Sequence, residues 1–195
     1  MHLKYLILTL FLSLLFTQKN HSQNWNEFAN TSRYEKANLE LKLHTKAKNR
    51  VVFMGNSITE GWVIMRPEFF KNRDYINRGI GGQTTPQMLL RFRPDVIDLN
   101  PKVVIILAGT NDIAGNTGYT SLETIIDNIK SMAEIANANG IKVIISSILP
   151  AIDYLWKPGL DPATKIITIN KALKEYAKEN NFIYLDYYSA MEDGK

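Results

Sequence analysis

A chain of 195 residues is long enough for one domain with a buried core, and 45% hydrophobic against 22% charged residues is an ordinary globular balance. The formal charge of +4 comes from 23 basic and 19 acidic residues dispersed along the chain, with no basic run interleaved with aromatics, which excludes the electrostatic footprint of a nucleic-acid binder. The absence of cysteine excludes disulfides, thiolate metal sites and a lipid-bearing cysteine.

The chain opens on a leader. Lys4 supplies a positive start, Tyr5 to Phe16 form an almost unbroken apolar run, and residues 17–23 are polar. A bilayer span needs about 20 apolar residues, so residues 1–22 read as a secretory signal peptide, with an uncleaved anchor as the alternative. Cleavage is expected near Ser22, although Asn20 is a poor match to the small-residue preference. Loss of the leader takes Lys4 and Lys19, leaving 21 basic against 19 acidic residues and a net charge of +2. The expectation is an exported protein, periplasmic or secreted, with no stable membrane insertion after cleavage.

Asn24 to Lys48 is polar and helix-compatible, with Trp25, Phe28, Leu39, Leu41 and Leu43 as apolar contacts, and reads as an N-terminal helix plus linker. From Arg50 short apolar runs alternate with amphipathic stretches. The runs Val51–Met54, Tyr75–Asn77, Val103–Ala108, Lys142–Ser146 and Phe182–Leu185 read as strands, and their continuous apolar character suits parallel strands covered on both faces. Helices are expected over Thr85–Leu99, Ser121–Asn139 and Thr164–Asn180; in the second, Leu122, Ile125, Ile126, Ile129, Met132, Ala133 and Ala136 recur at helical spacing and Asn139-Gly140 marks the stop. Strands alternating with helices define one α/β domain over residues 23–195, without repeats.

In open parallel sheets, ligands bind beyond the carboxyl ends of the strands. The turns leaving the first three strands are therefore informative: Gly55-Asn56-Ser57-Ile58-Thr59, then Arg78-Gly79-Ile80-Gly81-Gly82-Gln83, then Gly109-Thr110-Asn111-Asp112. Three small, polar, glycine-containing turns in succession build one site. Each alone is open to two readings. Ser57 at a strand-to-helix turn is a nucleophile beside unpaired N–H donors, or a helix N-cap. Gly81 and Gly82 allow close backbone approach to a bound group, or form a plain turn; a phosphate loop is disfavoured because the dinucleotide fingerprint and Walker lysine are missing. Asn111 is a side-chain donor at a strand mouth, or a turn residue bonding its own backbone.

Together these blocks, with Ser147-Ile148-Leu149-Pro150 after the fourth strand, closely resemble the SGNH/GDSL hydrolases, in particular the platelet-activating-factor acetylhydrolase-like and carbohydrate acetylesterase-like branch. The resemblance runs from about Trp25 to the end. It implies a flavodoxin-like three-layer sandwich with a five-stranded parallel sheet in the order 2-1-3-4-5. It also implies Ser57 as nucleophile, an oxyanion hole from the Ser57 N–H, the Gly82 N–H and the Asn111 amide, and no cofactor or metal. Asn56, Gly81 and Asp112 join these as candidate substrate contacts. The Gly-x-Ser-x-Gly elbow of α/β-hydrolases is absent, since Thr59 stands at its second glycine.

Two departures from the family pattern stand out. Asn56 occupies the position of the Asp in the GDSL name. The family's Asp-x-x-His block, which carries the general base, does not occur: His2 and His21 lie in the leader, His44 precedes the first strand, and neither Asp186 nor Asp193 has a histidine three residues on. The expectation is a serine ester hydrolase acting on a small ester, O-acetyl on a carbohydrate, impaired in this chain by the missing base. The alternatives are a lysophospholipase- or thioesterase-type member of the same family, a non-catalytic ester- or carbohydrate-binding module, and a flavin or nucleotide binder.

Overall fold

The computed structural model describes residues 24–43, 49–71 and 73–192. The leader and all three histidines lie outside these residues. The expected order is found: five parallel strands, β1 (Val51–Gly55), β2 (Tyr75–Gly79), β3 (Val103–Leu107), β4 (Lys142–Ser146) and β5 (Ile183–Leu185), arranged β2-β1-β3-β4-β5 with helices on both sides.

Successive strand residues point to opposite faces, and β1 shows what each face holds. Val52 and Met54 are fully buried in the main core with Met88, Phe92, Ile129 and Ile145. Phe53 faces the other way, into an aromatic cluster with Trp62, Phe69, Phe70 and Tyr75, its ring centroid within 5.9 Å of each. The main core is covered by α5 (Thr85–Asp95), α7 (Leu122–Ala138) and α8 (Pro162–Glu179); the aromatic face carries α3 (Ser57–Met65), α4 (Pro67–Phe70) and α9 (Tyr187–Met191), whose Tyr187 meets Trp62 edge-on. The short α6 (Thr110–Ile113) comes directly after β3.

Several boundaries differ from the sequence reading for identifiable reasons. The N-terminal helix is two pieces, α1 (Trp25–Ala29) and α2 (Glu35–Leu43), because Asn30 takes a left-handed conformation at φ 51° and the chain re-enters through a 3₁₀ turn. The helix expected to reach Leu99 ends at Asp95, and Ile97–Leu99 tightens into a 3₁₀ turn closed by left-handed Asn100. α8 begins two residues early, with Pro162 in the first turn, where a missing N–H costs nothing. β2 runs two residues further, to Gly79, paired along its length with β1.

Register then fixes the site. Gly55 pairs with Gly79 on one side and with Leu107 on the other. The carboxyl ends of the three central strands are therefore level, and the turns beyond them open side by side.

Candidate active site

At the end of β1, Asn56 is the helix N-cap: its side-chain oxygen accepts the Ile58 N–H at 3.0 Å, and the residue is 1% exposed. Ser57 is the first residue of α3 and exposed. The capping role open to Ser57 in the sequence thus falls to its neighbour, leaving the serine hydroxyl free of it. An Asn caps as well as an Asp. Asn56 is a buried cap rather than a substrate contact.

At the end of β2, Gly82 has φ +75°, a conformation that L side chains rarely adopt. Its loop is braced from below. The Gly81 N–H donates to the Glu60 carboxylate at 2.8 Å, so Gly81 gives its donor to α3 instead of offering it to a ligand. The Tyr34 hydroxyl donates to the Gly79 carbonyl. Gln83 donates through Nε2 to the Ala29 carbonyl at 2.7 Å and accepts the Arg91 Nε–H at 2.6 Å. Neither the Ser57 nor the Gly82 N–H meets a backbone acceptor among the described residues.

At the end of β3, Gly109 at φ +119° turns the chain into α6, and Asn111 is 4% exposed. Its Nδ2 donates to the Gln83 carbonyl at 2.9 Å. An amide nitrogen carries two hydrogens, so this bond orients the group while leaving one donor to face the pocket. Asp112 turns elsewhere. Its carboxylate, 2% exposed, accepts the Thr85 N–H at 2.9 and 3.0 Å and the Thr85 hydroxyl at 2.6 Å. Burial pushes its pKa up to about 6, against the pull of those bonds. Asp112 ties the β3 turn to the start of α5 and does not line the serine pocket.

Ser57, Gly82 and Asn111 share one pocket of about 550 Å³, joined by Ile58, Thr110 and Asn116 and closed on the far side by Leu149–Ala151 and Asp153–Trp156. Among the described residues its ionisable lining is confined to Asp153 and Tyr154. Asp153 engages its two oxygens with the Tyr154 and Gly159 N–H groups, both at 2.8 Å, which hold its pKa below the usual carboxylate range. The Tyr154 hydroxyl accepts from Thr110, and burial raises its pKa. Both are thus engaged in bonds within the pocket wall. Asp186 caps α9 through the Ser189 N–H at 3.0 Å. Among the described residues no group of three or more His, Cys, Asp or Glu is gathered to hold a metal ion.

The sequence reading missed the residues that brace the site: Tyr34, Glu60, Gln83 and Arg91. Arg91 is fully buried. Its guanidinium donates to Gln83 and to Asp95 (2.8 Å), and to the carbonyls of Gly55 (3.1 Å) and Arg78 (2.9 Å), so one side chain ties β1, β2 and the Gly82 loop. An arginine and an aspartate four apart on an otherwise apolar helix face were the available signal.

A level-ended parallel sheet with a serine at one turn, and a glycine and an asparagine at the next two, defines an acylhydrolase-type α/β protein. The chain belongs to the GDSL-like lipase/acylhydrolase family, whose profile matches residues 53–195. It is 52% identical to a candidate acylhydrolase of Bacteroides fragilis NCTC 9343, covering 86% of this chain and 81% of that one with a TM-score of 0.82. A GDSL-like lipase of Bacteroides thetaiotaomicron VPI-5482 is 50% identical, covering 86% and 82%, with a TM-score of 0.83. At 23% identity, the acetyl xylan esterase AlAXEase shares the fold, with a TM-score of 0.61 over 72% of this chain and 78% of that one. The uncharacterized lipoprotein YqeF of Bacillus subtilis is 36% identical over 53% of this chain and 49% of its own length, so the chain spans about half of that curated relative.

Proposed function

We propose that this chain is an exported serine ester hydrolase that removes a short acyl group, O-acetyl from a carbohydrate, through an acyl-enzyme on Ser57. The observation that carries the reading is the convergence of Ser57, Gly82 and Asn111 on one pocket at the carboxyl edge of the sheet. Attack of the Ser57 hydroxyl on the ester carbonyl builds negative charge on its oxygen. The Ser57 and Gly82 N–H groups and the second Asn111 hydrogen are the donors that stabilise it, each worth ~10²–10³ in rate in such sites. Collapse expels the alcohol and leaves Ser57 acylated, and water then releases the acid. The esterase neighbours of the same fold support the acyl chemistry, and the apolar leader and the lipoprotein relative support export. Among the described residues no helix is long and apolar enough to cross a membrane.

A serine hydroxyl needs a neighbouring base to accept its proton at neutral pH. Among the described residues the pocket lining supplies no histidine for that role. A second reading has its own observation. An apolar trough of about 440 Å³, with Trp62, Met65, Leu107 and Met191 in its wall, meets the serine pocket at Ile58 and Leu149, and would take a longer acyl chain. The experiment is hydrolysis of p-nitrophenyl esters from acetyl to decanoyl by the full chain and by Ser57→Ala. Acetyl preference abolished by Ser57→Ala is the expected result; a decanoyl preference selects the second reading, and turnover indifferent to Ser57→Ala removes both.

A further inference from the structure

The wall of the serine pocket opposite α3 is formed by the loop after β4, and this loop is built more rigidly than its exposure suggests. Asp153 clamps both ends of the Tyr154–Gly159 turn through the two N–H groups it accepts. The Lys157 N–H closes the turn on the Tyr154 carbonyl at 3.0 Å. Tyr154 is 2% exposed, and its hydroxyl accepts from Thr110 at 3.0 Å, one residue from Asn111. On this anchored ring lies Trp156, with centroids 4.7 Å apart and planes inclined by 25°. Trp156 is nonetheless 59% exposed. One indole face is covered by Tyr154, and Trp156 lines the pocket that holds Ser57.

A large aromatic left open to water forgoes the stabilisation that burial would give it. Here it is held in one orientation by a stack whose foundation is tied to the turn carrying Asn111. That arrangement suits a ligand with a flat, weakly apolar face. The negative face of an aromatic ring attracts polarised C–H groups, which a pyranose presents on one side while keeping its hydroxyls at the rim. Polar Asn116, Thr110 and Asp153 line the same pocket as the indole and are available to such a rim, whereas the apolar trough shares only Ile58 and Leu149 with it.

We propose that Trp156, stacked on Tyr154, is the sugar-binding platform of this pocket, holding a pyranose ring of the alcohol portion while its acetyl ester reaches Ser57. The proposal rests on the ester-hydrolase reading for its second half, but the sugar contact is measurable without turnover. The full chain carrying Ser57→Ala, so that the ligand stays intact, is titrated calorimetrically with O-acetylated xylotetraose. The same titration is repeated with Trp156→Ala and with Trp156→Tyr added, after circular dichroism and sedimentation confirm an unchanged fold and association state. Trp156→Ala is expected to raise Kd about tenfold, equivalent to ~1.4 kcal/mol. Trp156→Tyr, which restores a stacking face, should stay within about threefold of the parent. An unchanged Kd in Trp156→Ala, no binding by the Ser57→Ala parent, or a shift in association state in place of affinity overturns the platform. Loss of Ser57 dependence in ester hydrolysis, with Trp156-dependent binding retained, would remove the esterase and leave the sugar site.

Discussion

As the proposed oxyanion donor, Asn111 combines two demands that oppose each other. A donor for developing charge must be fixed, yet every hydrogen bond that fixes it uses a donor. Bonding one amide hydrogen to the Gln83 carbonyl at 2.9 Å meets both, because the second hydrogen is then aimed by the first. Asn111→Ala is expected to lower kcat for p-nitrophenyl acetate ~10²–10³-fold with a smaller change in KM, since the interaction grows as the oxyanion forms. A mutant with unchanged kcat would take Asn111 out of the hole. That Ser57, Gly82 and Asn111 meet at one pocket was legible in the sequence because each sits in a short turn after an apolar strand. The cap role of Asn56 and the inward turn of Asp112 were not. Two adjacent polar residues in a turn look alike until the backbone decides which one faces the solvent.

At the scale of elements, the site is a set of ties between strand ends and helix starts, and Asp112 is the most pH-sensitive of them. Its carboxyl is raised from 3.8 to about 6, burial outweighing the Thr85 bonds. An acid whose folded pKa lies above its unfolded value binds its proton more tightly when folded. Its contribution to stability is complete below about pH 4 and is lost as pH rises through about 6. Asp112→Asn removes this titration. The stability difference between variant and parent should therefore move in the variant's favour by up to ~3 kcal/mol between pH 4 and 7.5. Thermal unfolding across that range checks it, and a difference that does not vary with pH would show that Asp112 titrates normally. The parallel order of the elements was recoverable from continuous apolar runs and from the family likeness. The breaks at Asn30 and Asp95 were not, because they rest on the left-handed Asn30 and Asn100, which are held by local backbone bonds of the folded chain.

At the scale of the whole molecule, the N-terminal segment contributes little to the core: α2 buries only Asn38, and Trp25 and Leu43 are exposed. Its bonds place it in the site's support. Ala29 and Phe28 carbonyls accept from Gln83 and Gln87, both at 2.7 Å; Asn38 accepts from Arg78 at 2.7 and 3.0 Å and donates to Asp95 at 2.7 Å; Arg33 pairs with Glu60 at 3.2 Å. Gln83, Arg78 and Asp95 are buried, so losing their partners leaves polar groups unsatisfied at ~1–3 kcal/mol each. The exposed Arg33–Glu60 pair adds little. The first described residue, Asn24, caps α1 by accepting the Asn26 and Glu27 N–H groups at 3.2 and 3.4 Å, so a cut just before Gln23 would spare every one of these bonds. A chain starting at Gln23 should therefore match the full chain in Tm, while one starting at Lys48 should unfold several degrees lower and lose Ser57-dependent ester hydrolysis out of proportion to its folded fraction. The discriminating measurement is activity per folded molecule, from circular dichroism and turnover on the same sample. If the shorter chain, once folded, hydrolyses p-nitrophenyl acetate as fast as the longer one, the N-terminal segment is packing alone and the Gly82 loop holds its shape without it.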